Sequence, residues 1–191
     1  ALNYTMKRNR LFVGSAFLAL ALGLYACYNK PDFGSTPNLI FRGLEQHTLK
    51  TPTNVTYDSL ILVVRFQDGD GDLGLSETLF PDDIKPPFSV ADKYYYNIFV
   101  NVYKKVNGQF SPVLLNNTPL NFNGRFPRVS LDGRTEPLEG DIRYTLDRIF
   151  ENRDSPIQRG DTLRFDAKIV DRALHESPLV TSSEIIVFGQ K

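Results

Sequence analysis

The chain has 191 residues, 41% of them hydrophobic and 23% charged, with 12 Pro and 13 Gly. These are the proportions of a folded, turn-rich globular protein of one domain or a small pair. The 22 basic and 22 acidic residues balance, but Lys7, Arg8 and Arg10 stand in an acid-free stretch of 26 residues, so the remainder holds 19 basic and 22 acidic residues, a net charge of −3. That excludes the clustered basic face needed to bind nucleic acid, and adhesion to an anionic membrane by charge alone.

The first 26 residues read as a helical signal peptide. Met6 is the expected start, with Ala1–Thr5 upstream of it. A basic Met6-Lys7-Arg8-Asn9-Arg10 precedes an apolar run from Leu11 to Ala26. The run is shorter than the roughly 20 residues of a membrane span and suits an export signal. It ends Leu24-Tyr25-Ala26-Cys27, which resembles the lipobox of bacterial lipoproteins, with Tyr25 larger than the usual occupant. The resemblance implies cleavage before Cys27 and lipid attachment at its thiol, so the membrane is an expected partner. Two or more acyl chains hold a bilayer firmly at ~0.8 kcal/mol per buried CH₂. Cys27 is the only cysteine, so no intramolecular disulfide forms and the core alone stabilises the domain. Residues 27–37, rich in Pro, Gly and small polar residues, read as a lipidated tether. No acidic run follows Cys27, which favours the periplasmic over the surface-facing side of the outer membrane.

Residues 38–191 read as one β domain. A weak strand is expected at Asn38–Arg42. Ser59–Phe66 is apolar on nearly both faces and is placed centrally. The Asp68-Gly69-Asp70-Gly71-Asp72-Leu73-Gly74 turn follows, then a Pro- and Asp-rich loop over Leu79–Lys93. Tyr94–Lys104 alternates, with Tyr96, Ile98, Val100 and Val102 on one side. Asn107-Gly108 predicts a tight hairpin returning through Phe110–Leu115. A second weak strand is expected at Arg125–Leu131, a strand at Asp141–Leu146, and a short helical turn over Thr145–Glu151. Thr162–Val170 alternates most cleanly, with Leu163, Phe165, Ala167 and Ile169 inward. Ser183–Phe188 closes the chain. Seven or eight strands separated by turns, with no long helical period, predict an all-β, antiparallel β-sandwich; a barrel is the alternative.

The Asp-rich turn is the main chemical signal. Carboxylates at i, i+2 and i+4 can converge on a hard cation, and calcium takes six to eight oxygens. The loop pattern assigns Asp68, Asp70 and Asp72, the carbonyl of Gly74, and Ser76. Leu73 stands where Gly is usual and Leu79 where Glu is usual, so Glu77, Asp82 or Asp83 is needed to complete the shell. The competing reading is an Asp-Gly turn bonded to its own backbone. A bound calcium ion is expected to be structural.

Catalytic patterns are weak. There is no G-x-S-x-G and no paired-His metal spacing. His175 sits in a polar turn. Glu136, Glu139 and Asp141 are the remaining carboxylates to weigh as a glycosidase pair. The chain therefore reads as no enzyme. Tyr95, Phe99 and Tyr103 fall on one side of their predicted strand, where rings serve either core packing or stacking on a sugar or partner protein.

Taken together, the lipobox, the D-G-D-G-D-L-G turn, and Pro137-Leu138-Glu139-Gly140 leading into a strand resemble a group of uncharacterised Bacteroidota envelope lipoproteins. The stretch Asp171-Arg172-Ala173-Leu174-His175-Glu176-Ser177 resembles the end of bacterial immunoglobulin-like domains, Asp-x-x-Gly-Asn-x-Ser, with Leu174-His175 in place of Gly-Asn. The resemblance implies an envelope location and an immunoglobulin-like sandwich. The expected role is a lipid-anchored, non-catalytic interaction or accessory subunit with an envelope protein partner. The alternative is a carbohydrate-binding lipoprotein of a glycan-uptake system.

Overall fold

A computed structural model describes residues 31–189. The predicted signal peptide, Cys27 and the first tether residues lie outside them. The described chain is all-β, and every strand pairing is antiparallel. Its strands are β1 (Asn38–Lys50), β2 (Thr56–Asp68), β3 (Ile98–Val106), β4 (Gln109–Pro112), β5 (Leu114–Leu115), β6 (Thr118–Pro119), β7 (Leu138–Thr145), β8 (Ile149–Phe150), β9 (Thr162–Ile169), β10 (Val180–Thr181) and β11 (Ile185–Ile186).

One sheet runs β1-β2-β7, with β8 also on β2. The second runs β10-β9-β3-β4, with β11 also on β9. A small hairpin, β5-β6, stands apart. The core lies between the two sheets. β2 contributes Leu60, Leu62, Val64 and Phe66, β3 contributes Ile98, Val100 and Val102, and β9 contributes Leu163, Phe165, Ala167 and Ile169. Each set follows the period of two that sends alternate side chains to one face.

The predicted strands hold where alternation is backed by burial, and shift where polar groups intervene. β1 is far longer than Asn38–Arg42, because a bulge between Phe41 and Gly43 resets the register and carries its polar second half along β2. β3 starts at Ile98, not Tyr94. The Asn97 side chain takes both backbone groups of Phe126, at 2.8 and 3.0 Å, and ends the ladder there. The Asn107-Gly108 turn forms as expected, both residues at positive φ. A second such turn, Asn116-Asn117, also has both residues at positive φ and splits the returning strand into β4 and the β5-β6 hairpin.

Arg125–Leu131 is no strand. It follows the Asp-rich segment irregularly, through Leu75 N–H to Phe126 O and Val129 N–H to Leu73 O. Thr145–Glu151 makes no helical turn. Leu146 and Ile149 are both buried, and β2 supplies the backbone partners of Leu146 and of β8. Of Ser183–Phe188 only Ile185–Ile186 pairs as strand. The compact unit that holds the sandwich includes Phe33 and the buried Pro37.

The far end of the sandwich is closed by a buried carboxylate. Asp58 is fully buried and accepts from Gln46 Nε2 (2.6 Å), Thr48 Oγ1 (2.5 Å) and the backbone N–H of Phe188. It ties β1, β2 and the C-terminal segment together. Replacing Asp58 by Ala removes the acceptor of the buried Phe188 N–H and Gln46 amide and of the exposed Thr48 hydroxyl; a buried donor left unpaired costs about 1–3 kcal/mol. Asp58→Ala is expected to lose roughly 2–4 kcal/mol in urea unfolding with an unchanged denaturant slope.

Candidate metal centre

β2 and β9 end at the same pole of the sandwich, and the segments that follow them meet there. Asp68 is the last residue of β2 and is fully buried, and Asp171, two residues beyond β9, is 2% exposed. One carboxylate oxygen from each of Asp68, Asp72 and Asp171 lies within 4.8 Å of the other two. Calcium–oxygen distances of about 2.3–2.6 Å allow ligand oxygens up to about 5 Å apart across one ion, so the spacing fits. The donor set is all carboxylate, the preference of a hard cation.

The hydrogen-bond account identifies what the cluster lacks. Oδ1 of Asp68, of Asp70 and of Asp72 is buried without any hydrogen-bond partner. Their second oxygens are used where backbone can reach them: Asp72 N–H donates to Asp68 Oδ2 (3.0 Å) and Ala173 N–H to Asp72 Oδ2 (3.0 Å). Buried polar groups are otherwise almost always paired. Burial, then the charges of Asp70, Asp72 and Asp171, pushes the Asp68 carboxyl up to about 7. Burial, then Asp171 and Asp70, pushes Asp72 up to about 6 against the opposing charge of Arg172. Arg172 does not neutralise the cluster by contact. Its guanidinium donates to the carbonyls of Leu73 and Gly74. The cluster of Asp68, Asp72 and Asp171 can thus hold a metal ion, with Asp70 beside it offering a further orphaned oxygen.

The expected ligand residues come together in part. The Gly74 carbonyl accepts from Arg172 at 3.2 Å. Glycine is required there because φ is +88° and an added Cβ would sit 2.1 Å from the Pro127 carbonyl. The third carboxylate of the cluster is that of Asp171, on the other sheet, and Glu77, Asp82 and Asp83 lie outside it. Asp83 is buried but held by Arg128 at 2.6 and 2.7 Å and by Ser76 N–H. Burial opposes its ionisation, but these bonds prevail and hold its carboxyl below the usual carboxylate range. Asp82 pairs with Lys85, Glu77 faces Arg125, and the Ser76 hydroxyl accepts from Leu79 N–H. No sequence spacing links residues 68 and 171; the clue was the Asp-x-x-x-His-x-Ser turn at Asp171.

That turn also keeps the backbone its immunoglobulin-like resemblance implies. Leu174 stands where the pattern has Gly, and it adopts φ +71°, the left-handed conformation glycine favours. His175 is held by Asp171, with Nδ1 2.9 Å from Oδ2, and this bond raises the imidazole above its ordinary value. The Ser177 hydroxyl is committed to Ile169 N–H and Pro178 O. Asp141 pairs with Arg65 on the outer face of the first sheet, while Glu139 is exposed there. Tyr95 lies in the loop before β3 with Arg125 over its ring. Phe99 and Tyr103 lie on the outer face of the second sheet, half-buried under Lys168 and Arg164.

Comparison with known proteins gives no match, whether to a family model, a curated protein or a solved structure.

Two outcomes follow from this geometry. In chelator, native Asp68 and Asp72 keep protons that the unfolded chain has already released between about pH 4 and 7. The urea midpoint is therefore expected to fall as pH rises through that window, and millimolar calcium to abolish the fall. Leu174→Gly relieves the left-handed strain at an exposed site and is expected to add about 1 kcal/mol in the same assay.

Proposed function

We propose that this chain is a lipid-anchored, non-catalytic outer-membrane lipoprotein of the Bacteroidota cell envelope. Its immunoglobulin-like sandwich acts as an interaction or accessory subunit, and the Asp-rich pole takes one structural calcium ion. The observation that carries the calcium assignment is the set of three buried, unpartnered carboxylate oxygens at Asp68, Asp70 and Asp72. A divalent ion held by Asp68, Asp72 and Asp171 supplies the missing partner of Asp68 and Asp72 and offsets the repulsion among the clustered carboxylates. The ion has a structural role because Asp68 and Asp171 are shut off from solvent. A substrate has no route to them.

Support for a non-catalytic role is that the candidate reactive groups are already engaged. His175 is tied to Asp171, the Ser177 hydroxyl to backbone, and Asp141 to Arg65. Support for the envelope location is the lipobox ending at Cys27. Among the described residues, no helix is long and apolar enough to cross a membrane, so this reading gives anchoring to lipid at Cys27. The glycan-binding alternative draws on Phe99 and Tyr103, but cations already lie over those rings at 5.5 and 5.6 Å, which weakens it.

The anchoring is tested by Cys27→Ser in cells fed a labelled fatty acid. Wild type is expected to take up label and sediment with the outer membrane, and the variant to do neither. Equal labelling of the two would overturn the assignment. Mild-detergent co-purification of the labelled protein is expected to recover a stoichiometric envelope partner.

A further inference from the structure

We infer that the same cation site clamps the segment through which the chain joins the domain. With calcium bound, residues 33–37 dock on the Asp-rich loop, and without it they are released. This rests on the calcium reading above.

The contact is between two backbones. Gly69 N–H donates to the Gly34 carbonyl at 2.9 Å. An added Cβ at Gly69 would lie 2.2 Å from the Phe33 carbonyl oxygen and 2.7 Å from that of Gly34. Only glycine admits so close an approach. Among the described residues this is the only backbone hydrogen bond outside the strand ladders that reaches residues 33–37. Gly34, Ser35 and Thr36 are otherwise exposed, and regular pairing begins at Asn38 opposite Gln67.

The donor directly follows a member of the cation site. Gly69 lies next to Asp68, whose Oδ1 is buried and unpartnered and whose carboxylate clusters with those of Asp72 and Asp171. The position of its amide is set by whether those carboxylates are held together. With an ion among them the loop closes and the amide faces Gly34. Without one, like charges in a poorly screened corner drive the loop open and remove that backbone bond.

The test is chymotryptic cleavage of the Phe33–Gly34 bond in the full chain, purified in detergent and followed by mass spectrometry. Calcium binding is measured in parallel by calorimetry. In wild type, calcium is expected to slow this cut about tenfold or more relative to chelator. Asp72→Asn is expected to bind no calcium and to be cut rapidly in both conditions. Gly69→Ala leaves every carboxylate in place. It is expected to be cut rapidly with or without calcium, and to bind calcium more weakly by the factor by which calcium slows the wild-type cut, since coupling is reciprocal. Calcium binding with an unchanged wild-type cutting rate would overturn the clamp and leave the calcium reading standing. No binding at all would overturn both. If Gly69→Ala does not fold, the wild-type comparison decides alone.

Discussion

The structure depends on one electrostatic constraint, the gathering of Asp68, Asp72 and Asp171, with Asp70 beside them, at the pole where both sheets end. Asp68 arrives on the last residue of β2, Asp70 and Asp72 on the turn after it, and Asp171 on the turn after β9. The sandwich core fixes where β2 and β9 end, so the carboxylates cannot move apart without disturbing strands that hold Phe66 and Ile169 in the interior. Charge repulsion and packing therefore oppose each other at this point. The raised proton affinity of Asp68 and Asp72 registers that opposition, and the cluster can hold a metal ion that would relieve it.

The remaining loops at that pole are built to hold the turn in shape. Arg128 grips Asp83 with two short bonds and stacks over Phe80. Arg125 gathers the carbonyls of Asp83, Phe88 and Tyr95. These two arginines fasten the irregular segment between β2 and β3 to the segment between β6 and β7. A long loop thereby becomes a fixed wall beside the cation site. Breaking such a buried pair by removing one partner leaves an uncompensated charge, which is the destabilising case for buried ion pairs. Asp58 plays the corresponding part at the opposite end, entirely through hydrogen bonds.

The fold was legible where local pattern and burial agree. Ser59–Phe66 lies inside a central strand because it is apolar at all but Ser59 and Arg65, and Thr162–Val170 is read almost to the residue because alternation and burial coincide. The Asn107-Gly108 hairpin follows from turn chemistry alone. What could not be read depends on partners distant in sequence. β1 is more than twice its expected length because β2 templates it past a bulge, although Glu45, Gln46 and His47 carry no strand signal. Tyr94–Tyr96 lose their strand to the bonds Asn97 makes with Phe126. The candidate site divides in the same way. Asp68 and Asp72 are visible as a local motif. Asp171 joins them only through the crossing of two sheets, and Asp83 is diverted to Arg128. Gly74 is required as a glycine by its positive φ and its close approach to the Pro127 carbonyl.

The most direct measurement is the calcium content of the protein purified without chelator and dialysed against metal-free buffer, read by atomic emission beside an Asp68→Asn variant. The account predicts about one calcium per wild-type chain and essentially none in the variant, since Asp68 is the fully buried ligand on which the others converge. Metal-free wild type that also takes up no calcium on titration would contradict it, and would mean that the orphaned carboxylates are satisfied by protons instead.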